Sequence, residues 1–103
     1  MITIAKLQSY IKSHDYKPDL SQAYFMKLAE EVGELSCSMR KNATQMTEDD
    51  VKGTIGEEIY DVIYYALAIA NCYDIDVEKC VYLKEKINDG KYSRNLADTL
   101  LKD

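Results

Sequence analysis

The chain has no tryptophan and, among 103 residues, only one phenylalanine, one proline, one histidine and four glycines. So few glycines and prolines disfavour an all-β fold with many tight turns, and favour long helices. A single histidine, His14, speaks against Cys/His zinc sites and Ser-His-Asp machinery. It reads as a surface loop residue. The three cysteines, Cys37, Cys72 and Cys80, are an odd count with no C-x-x-C pair. Reduced thiols in a cytoplasmic protein are the expectation. No apolar run approaches the roughly 20 residues of a membrane span. The opening stretch MITIAKLQSYIK carries charge and polarity where an export signal needs a continuous apolar core. Basic residues are also short: 13 Lys and Arg stand against 18 Asp and Glu, a net charge of -5. A general binder of nucleic-acid polymers is usually basic, so that class loses weight.

What is present is an ordinary globular balance, 47% hydrophobic and 30% charged. The length argues for one domain, residues 1–103. Ile4, Leu7, Tyr10 and Ile11 give residues 2–13 a helical spacing. His14 to Leu20 contains Pro18 and two aspartates and reads as a loop, with Asp19 or Ser21 as cap of the next helix. That helix runs from about Gln22 to about Asn42 on a spine of Leu28, Val32, Leu35 and Met39. After a break at residues 42–45, Thr47 with Asp50 three positions on resembles a capping arrangement. It would open a third helix reaching about Tyr73, with Ile55, Ile59, Val62, Ala66 and Ile69 as spine and Gly53 and Gly56 in its first turns. Asp76 is a good N-cap for a fourth helix, Val77 to Asn88, and Gly90 would end it. Ser93 to Lys102 has a weak helical pattern. The expected fold is all-α, a bundle of four to five helices.

Two segments repeat each other. Leu28-Ala-Glu-Glu-Val-Gly-Glu-Leu35 aligns with Ile55-Gly-Glu-Glu-Ile-Tyr-Asp-Val62, apolar on apolar and acidic on acidic. Amphipathic helices reuse apolar patterns, but the acidic match is harder to dismiss. At about 100° per residue, Glu31 and Glu34 fall on one side of their helix, and Glu58 and Asp61 take the same two angles on theirs. Glu31 and Glu58 border the apolar stripe, while Glu30 and Glu57 lie further out. A solvated acidic flank is one reading. Against it, like charges three residues apart repel, the more so if the two helices pack together. A bound cation resolves the conflict, and four carboxylates are hard oxygen ligands suited to Mg²⁺, with Mn²⁺ as a substitute. Neither acidic pair is followed by the His of a di-iron bundle.

Mg²⁺ held by carboxylates most often meets substrate phosphates. Lys84, Asn88 and Lys91 share one face of the fourth helix, and Arg94 follows, so cations to offset phosphate repulsion are available. Ordinary surface solubility is the other reading of these lysines.

Together these residues resemble the MazG-type family of all-α nucleoside triphosphate pyrophosphohydrolases, related to the dimeric all-α dUTPases. The family pattern E-E-x-x-E is matched by Glu30-Glu31-Val32-Gly33-Glu34, and E-x-x-D by Glu58-Ile59-Tyr60-Asp61. A later pattern, K-x-x-x-N-x-x-K-Y, fits Lys84, Asn88, Lys91 and Tyr92, with Ser93 where a proline often follows. The resemblance covers roughly residues 20–95. It implies Mg²⁺-dependent cleavage of a ribo- or deoxyribonucleoside triphosphate between the α and β phosphates. It also implies Glu31, Glu34, Glu58 and Asp61 as metal ligands, with Glu30 positioning or deprotonating water. Lys84, Asn88 and Lys91 would hold phosphates, with Tyr92 shaping that edge. Tyr65, one turn beyond Asp61, resembles by position an aromatic that stacks on the base in some members; core packing is the other reading. Tyr16, Tyr24 and Phe25 are further aromatics within reach of a base pocket. The tryptophans that stack on bases in some relatives are missing. Family members complete the site with a partner subunit, so a homodimer or homotetramer is expected. Tyr60, Ile63, Tyr64 and Leu67, which make the third helix apolar on more than one side, are expected at that interface.

Two competing functions fit the same residues. One is a non-catalytic helical binding module with an acidic divalent-ion site. The other is a different phosphohydrolase chemistry, such as phosphate release from a monophosphate.

Overall fold

A computed structural model describes residues 1–44, 47 and 49–102. The described residues form four α-helices and two short 3₁₀ turns, with no strand: α1 (Ile4–His14), a turn at Pro18–Leu20, α2 (Ser21–Arg40), α3 (Ile55–Cys72), α4 (Val77–Lys91) and a turn at Ala97–Leu101. The all-α expectation holds. None of these helices is long and apolar enough to cross a membrane.

Side-chain caps start three of the helices. Thr3 accepts from Lys6 N at 3.1 Å, Thr54 from Glu57 N at 3.1 Å, and Asp76 from Lys79 N at 3.1 Å. Asp76 is the expected cap of α4. The expected caps of α2 are not used: the Pro18 turn runs straight into the helix through Leu20, and the Ser21 hydroxyl pairs with the Tyr73 hydroxyl at 3.2 Å. The expected start of α3 at Thr47 is also corrected. Thr47 accepts from Asp50 N at 3.1 Å, which closes a turn and not a helix. The chain then passes through Gly53 at φ 79, a conformation that stops any helix begun earlier. Thr54 caps instead, and Glu57 reaches back to accept from Gly53 N at 2.9 Å.

Three helices end in the same way, without glycine. Asn42, Asp74 and Ser93 adopt left-handed φ of 53, 56 and 52. The following amides of Ala43, Ile75 and Arg94 return to the carbonyls of Ser38, Ala70 and Asp89 at 3.2, 3.0 and 3.0 Å. This is the Schellman arrangement. Gly90, expected to end α4, lies inside it.

Helices α2 and α3 form an antiparallel hairpin. Ser38 Oγ donates to Gly53 O at 2.9 Å at one end, and the Ser21–Tyr73 pair closes the other. Helix α1 lies across the C-terminal half of α3 and the start of α4. A closed polar network ties it there: Gln8 Nε2 donates to Asn71 Oδ1 (3.1 Å) and Ile75 O (2.6 Å), Asn71 Nδ2 to Gln8 O (3.1 Å), and Val77 N to Gln8 Oε1 (3.2 Å). The core is small: Ile11, Tyr24, Leu67 and Ala68, with Leu7, Tyr64, Tyr65 and Ile69 packed around it.

That placement revises the expected interface. Leu67 is 4% exposed and belongs to the chain's own core, and Tyr64 packs beside it. Tyr60 and Ile63 stay 42% and 43% exposed. The expected spines are only half used, for Val32 on α2 is 50% exposed and Ile59 on α3 45%. Among the described residues, no neighbouring element covers Val32 or Ile59.

Candidate metal centre

The antiparallel hairpin sets the middle of α2 against the first turns of α3, which brings the repeated acidic segments face to face. Carboxylate oxygens of Glu31, Glu58 and Asp61 all lie within 4.8 Å of one another. Glu58 is 7% exposed, and its Oε2 is buried without a hydrogen-bond partner. Burial pushes the Glu31 carboxyl above its ordinary range, Glu58 pushes it further, and Glu30 and Glu34 add to this. Asp61 is also raised, first by burial and then by Glu31 and Glu57, while Lys52 opposes the shift. These are carboxylates packed closer than their charges allow. Three hard carboxylate donors, with an unsatisfied oxygen on the Glu58 carboxylate, fit a divalent cation of the Mg²⁺ or Mn²⁺ kind.

The other predicted residues separate into groups. Glu34 is exposed, three residues beyond Glu31, and lies outside the three-oxygen group. Glu30 is exposed and paired with Lys27 at 3.5 Å. Tyr65 is half-buried, edge-on to Tyr64 at 5.1 Å. It walls a cavity of about 230 Å³ together with Asp15, Ala23, Tyr24 and Lys27. Asp15 and Lys27 carry no motif in the sequence. The α2–α3 hairpin brings Lys27 to Tyr65, and the crossing of α1 over α3 brings Asp15, which accepts from Tyr24 and Tyr64. His14 is exposed and stacks edge-on with Tyr10 at 4.5 Å.

The α4 residues are not beside the carboxylates. Helix α4 packs on α1 and on the tail, with at most marginal contact to α2 or α3. Lys84 and Lys91 are exposed, and neither is ion-paired among the described residues. Lys91 Nζ lies 5.3 Å from the Tyr92 ring. Asn88 donates to Glu85 at 2.8 Å. Arg94 is engaged within the chain, with Nε 3.1 Å from Asp89 and a terminal nitrogen 3.3 Å from Glu85. Asp89 also accepts from the amides of Leu96 and Ala97, so this cluster locks the tail onto α4.

Comparison with known proteins identifies the family. No curated protein is matched by the sequence. Crystal structures of iMazG from Vibrio DAT 722 are similar throughout. The N-terminally tagged form superposes with a TM-score of 0.83 at 50% identity, covering 90% of this chain and 100% of that one. A C-terminally tagged form gives 0.81 at 49% identity, covering 85% and 99%. The MazG nucleotide pyrophosphohydrolase domain matches residues 20–91, which contain the acidic repeat and the whole of α2, α3 and α4. By sequence and by fold, this chain belongs to the MazG family.

Proposed function

We propose that the protein hydrolyses ribo- or deoxyribonucleoside triphosphates between the α and β phosphates, releasing a nucleoside monophosphate and pyrophosphate. Nucleotide-pool house-cleaning in the cytoplasm is the role this reaction suits. The observation that carries the reading is the close approach of Glu31, Glu58 and Asp61, with an orphaned oxygen on Glu58, in a chain of the MazG family. These three, with Glu34 from the next turn, would hold Mg²⁺, or Mn²⁺ in its place. A divalent ion there lowers the pKa of water and neutralises charge on the phosphates. Little covalent work is left to the protein, so no Ser, Cys or His nucleophile is required.

The chain's own residues then divide the task. Glu30, beside the cluster, orients the attacking water or takes its proton. Lys84, Asn88 and Lys91 grip the phosphates, with Tyr92 and Arg94 at that edge. Tyr65 faces the base. Because α4 packs away from α2, one chain does not assemble this set. A homodimer or homotetramer, in which another copy supplies the phosphate-holding helix, completes it. The half-exposed Val32, Ile59, Tyr60 and Ile63 support such an assembly. The substrate is a nucleotide and not a nucleic-acid polymer, in keeping with the net charge of -5.

The test is a product assay over all common NTPs and dNTPs and a few modified ones, with Mg²⁺, Mn²⁺ or EDTA. Metal-dependent monophosphate plus pyrophosphate is expected. Nucleoside plus phosphate from a monophosphate would instead establish another phosphohydrolase chemistry. No product from any nucleotide, with the protein folded and oligomeric, would leave a non-catalytic binding module.

A further inference from the structure

Asp15 ends α1 at a position the acidic motif does not explain. Tyr24 Oη donates to its Oδ1 at 2.7 Å, and Tyr64 Oη to its Oδ2 at 2.5 Å. An ionised carboxylate offers about four acceptor sites, so roughly two remain. No Lys or Arg among the described residues comes within 4.0 Å to occupy them. The side chain is only half-buried, and it lines the 230 Å³ cavity with Tyr65 and Lys27. The two tyrosine hydroxyls hold its carboxyl below the ordinary range, so at neutral pH it accepts hydrogen bonds and donates none.

The cavity also has a definite place relative to the carboxylate cluster. Lys27 precedes Glu31 by one turn of α2, and Tyr65 follows Asp61 by one turn of α3. The helices are antiparallel, so both steps lead in the same direction, by about 5.4 Å. A pentose bridges a gap of that order between phosphates at the cluster and a base in the cavity.

We propose that Asp15 is a specificity-determining residue of this cavity, selecting nucleobases with an exocyclic amino group over their deaminated counterparts: cytosine over uracil, and adenine over hypoxanthine. An amino group brings N–H donors to the free acceptor sites of Asp15. The carbonyl that replaces it after deamination brings a lone pair against a negative charge. The proposal rests on the nucleotide reading given above.

The experiment compares kcat/KM for dCTP against dUTP and for dATP against dITP, in the wild-type oligomer and in Asp15→Asn. Calorimetric binding of dCMP and dUMP, which needs no turnover, is measured alongside. The wild type is expected to favour the amino member of each pair by about ten- to hundred-fold, the range for a hydrogen bond to a charged group. Asparagine offers both a donor and an acceptor, so the ratio in Asp15→Asn is expected to fall to within about three-fold of unity. A merely structural Asp15 would lower activity on all four substrates alike and leave the ratio unchanged, which overturns the proposal. If the variant does not fold, the wild-type ratio decides, since no preference, or a preference for dUTP and dITP, overturns it. Hydrolysis without amino selectivity sinks this proposal and keeps the catalytic reading. Amino-selective binding without hydrolysis does the reverse, and neither binding nor hydrolysis sinks both.

Discussion

Glu58 carries the electrostatic tension of the site. Its Oε2 is buried without a partner, and its carboxylate meets Glu31 across the hairpin and Asp61 one turn along α3. A buried acceptor left unsatisfied costs on the order of 1–3 kcal/mol. Glu58→Gln removes one charge and adds donors toward two carboxylates. It is therefore expected to raise the melting temperature in EDTA, and to abolish both the increase caused by Mg²⁺ and the turnover. Thermal scans with and without metal check this, and an undiminished Mg²⁺ increment would place the ion elsewhere. The pH dependence has a definite sign. Glu31 and Asp61 titrate above their ordinary values, so the folded chain keeps protons that the unfolded chain has released. Their stabilisation is complete below the ordinary carboxylate range and is lost as pH rises through the raised folded values. Asp15 and Asp89 are shifted down, and their contribution is lost as pH falls below 3.8 through the folded values. In EDTA the melting temperature is expected to peak in mild acid. Mg²⁺ is expected to stabilise most at neutral pH, where its ligands are deprotonated. A monotonic rise toward neutrality in EDTA would contradict this.

At the scale of elements, α3 holds the site together, because Glu58 and Asp61 sit in its first two turns. Thr54 sets where those turns begin. Thr54→Ala is expected to cost about 1 kcal/mol of stability and to weaken metal binding together with it. Urea unfolding and metal titration on the same variant would separate the two effects, and a loss of stability with unchanged metal affinity would mean that the turn holds without its cap. Both Thr47-x-x-Asp50 and Thr54-x-x-Glu57 fit a capping pattern in the sequence. The left-handed passage through Gly53 selects the second, and that choice depends on how the loop closes over Ser38. Gly90 offers another test. A Cβ there meets nothing within 4 Å, and the residue lies within α4. Gly90→Ala is therefore expected to stabilise by roughly 0.5–1 kcal/mol in urea unfolding. A loss instead would place a second chain against that side of α4.

As a whole molecule, one chain is loose for its length. Its radius of gyration is 15.9 Å, where a compact chain of this size has about 13 Å. Among the described residues, Ile11 is the only larger apolar side chain that is fully buried. Apolar faces on α2 and α3 remain open, and α4 stands away from the carboxylates it is proposed to serve. Light scattering is expected to give two or four times the chain mass of 11.8 kDa. Ile63→Asp is expected to lower that mass and to remove activity while helical circular dichroism persists, because a charge cannot be buried unpaired at the interface. A wild-type monomer at micromolar concentration would contradict the assembly.

Hydrophobic periodicity and the doubled acidic spacing predict four helices, their order and four convergent carboxylates, of which Glu31, Glu58 and Asp61 meet and Glu34 stays outside the group. These depend on contacts between residues three or four apart, or on two like segments placed side by side. Helix ends were less legible. Asn42, Asp74 and Ser93 take a conformation that glycine would have announced, and only the returning amides after them show it. Packing decided the rest. Leu67 turned inward and Val32 outward because α1 lies across one face of the hairpin and leaves the other bare. Asp15 joined Tyr24, Tyr64 and Tyr65 through the same crossing, across separations in the chain that no local pattern records. Local spacing encodes which faces exist; which faces meet depends on the loops and on the small shared core that orients α1, and a linear pattern carries neither.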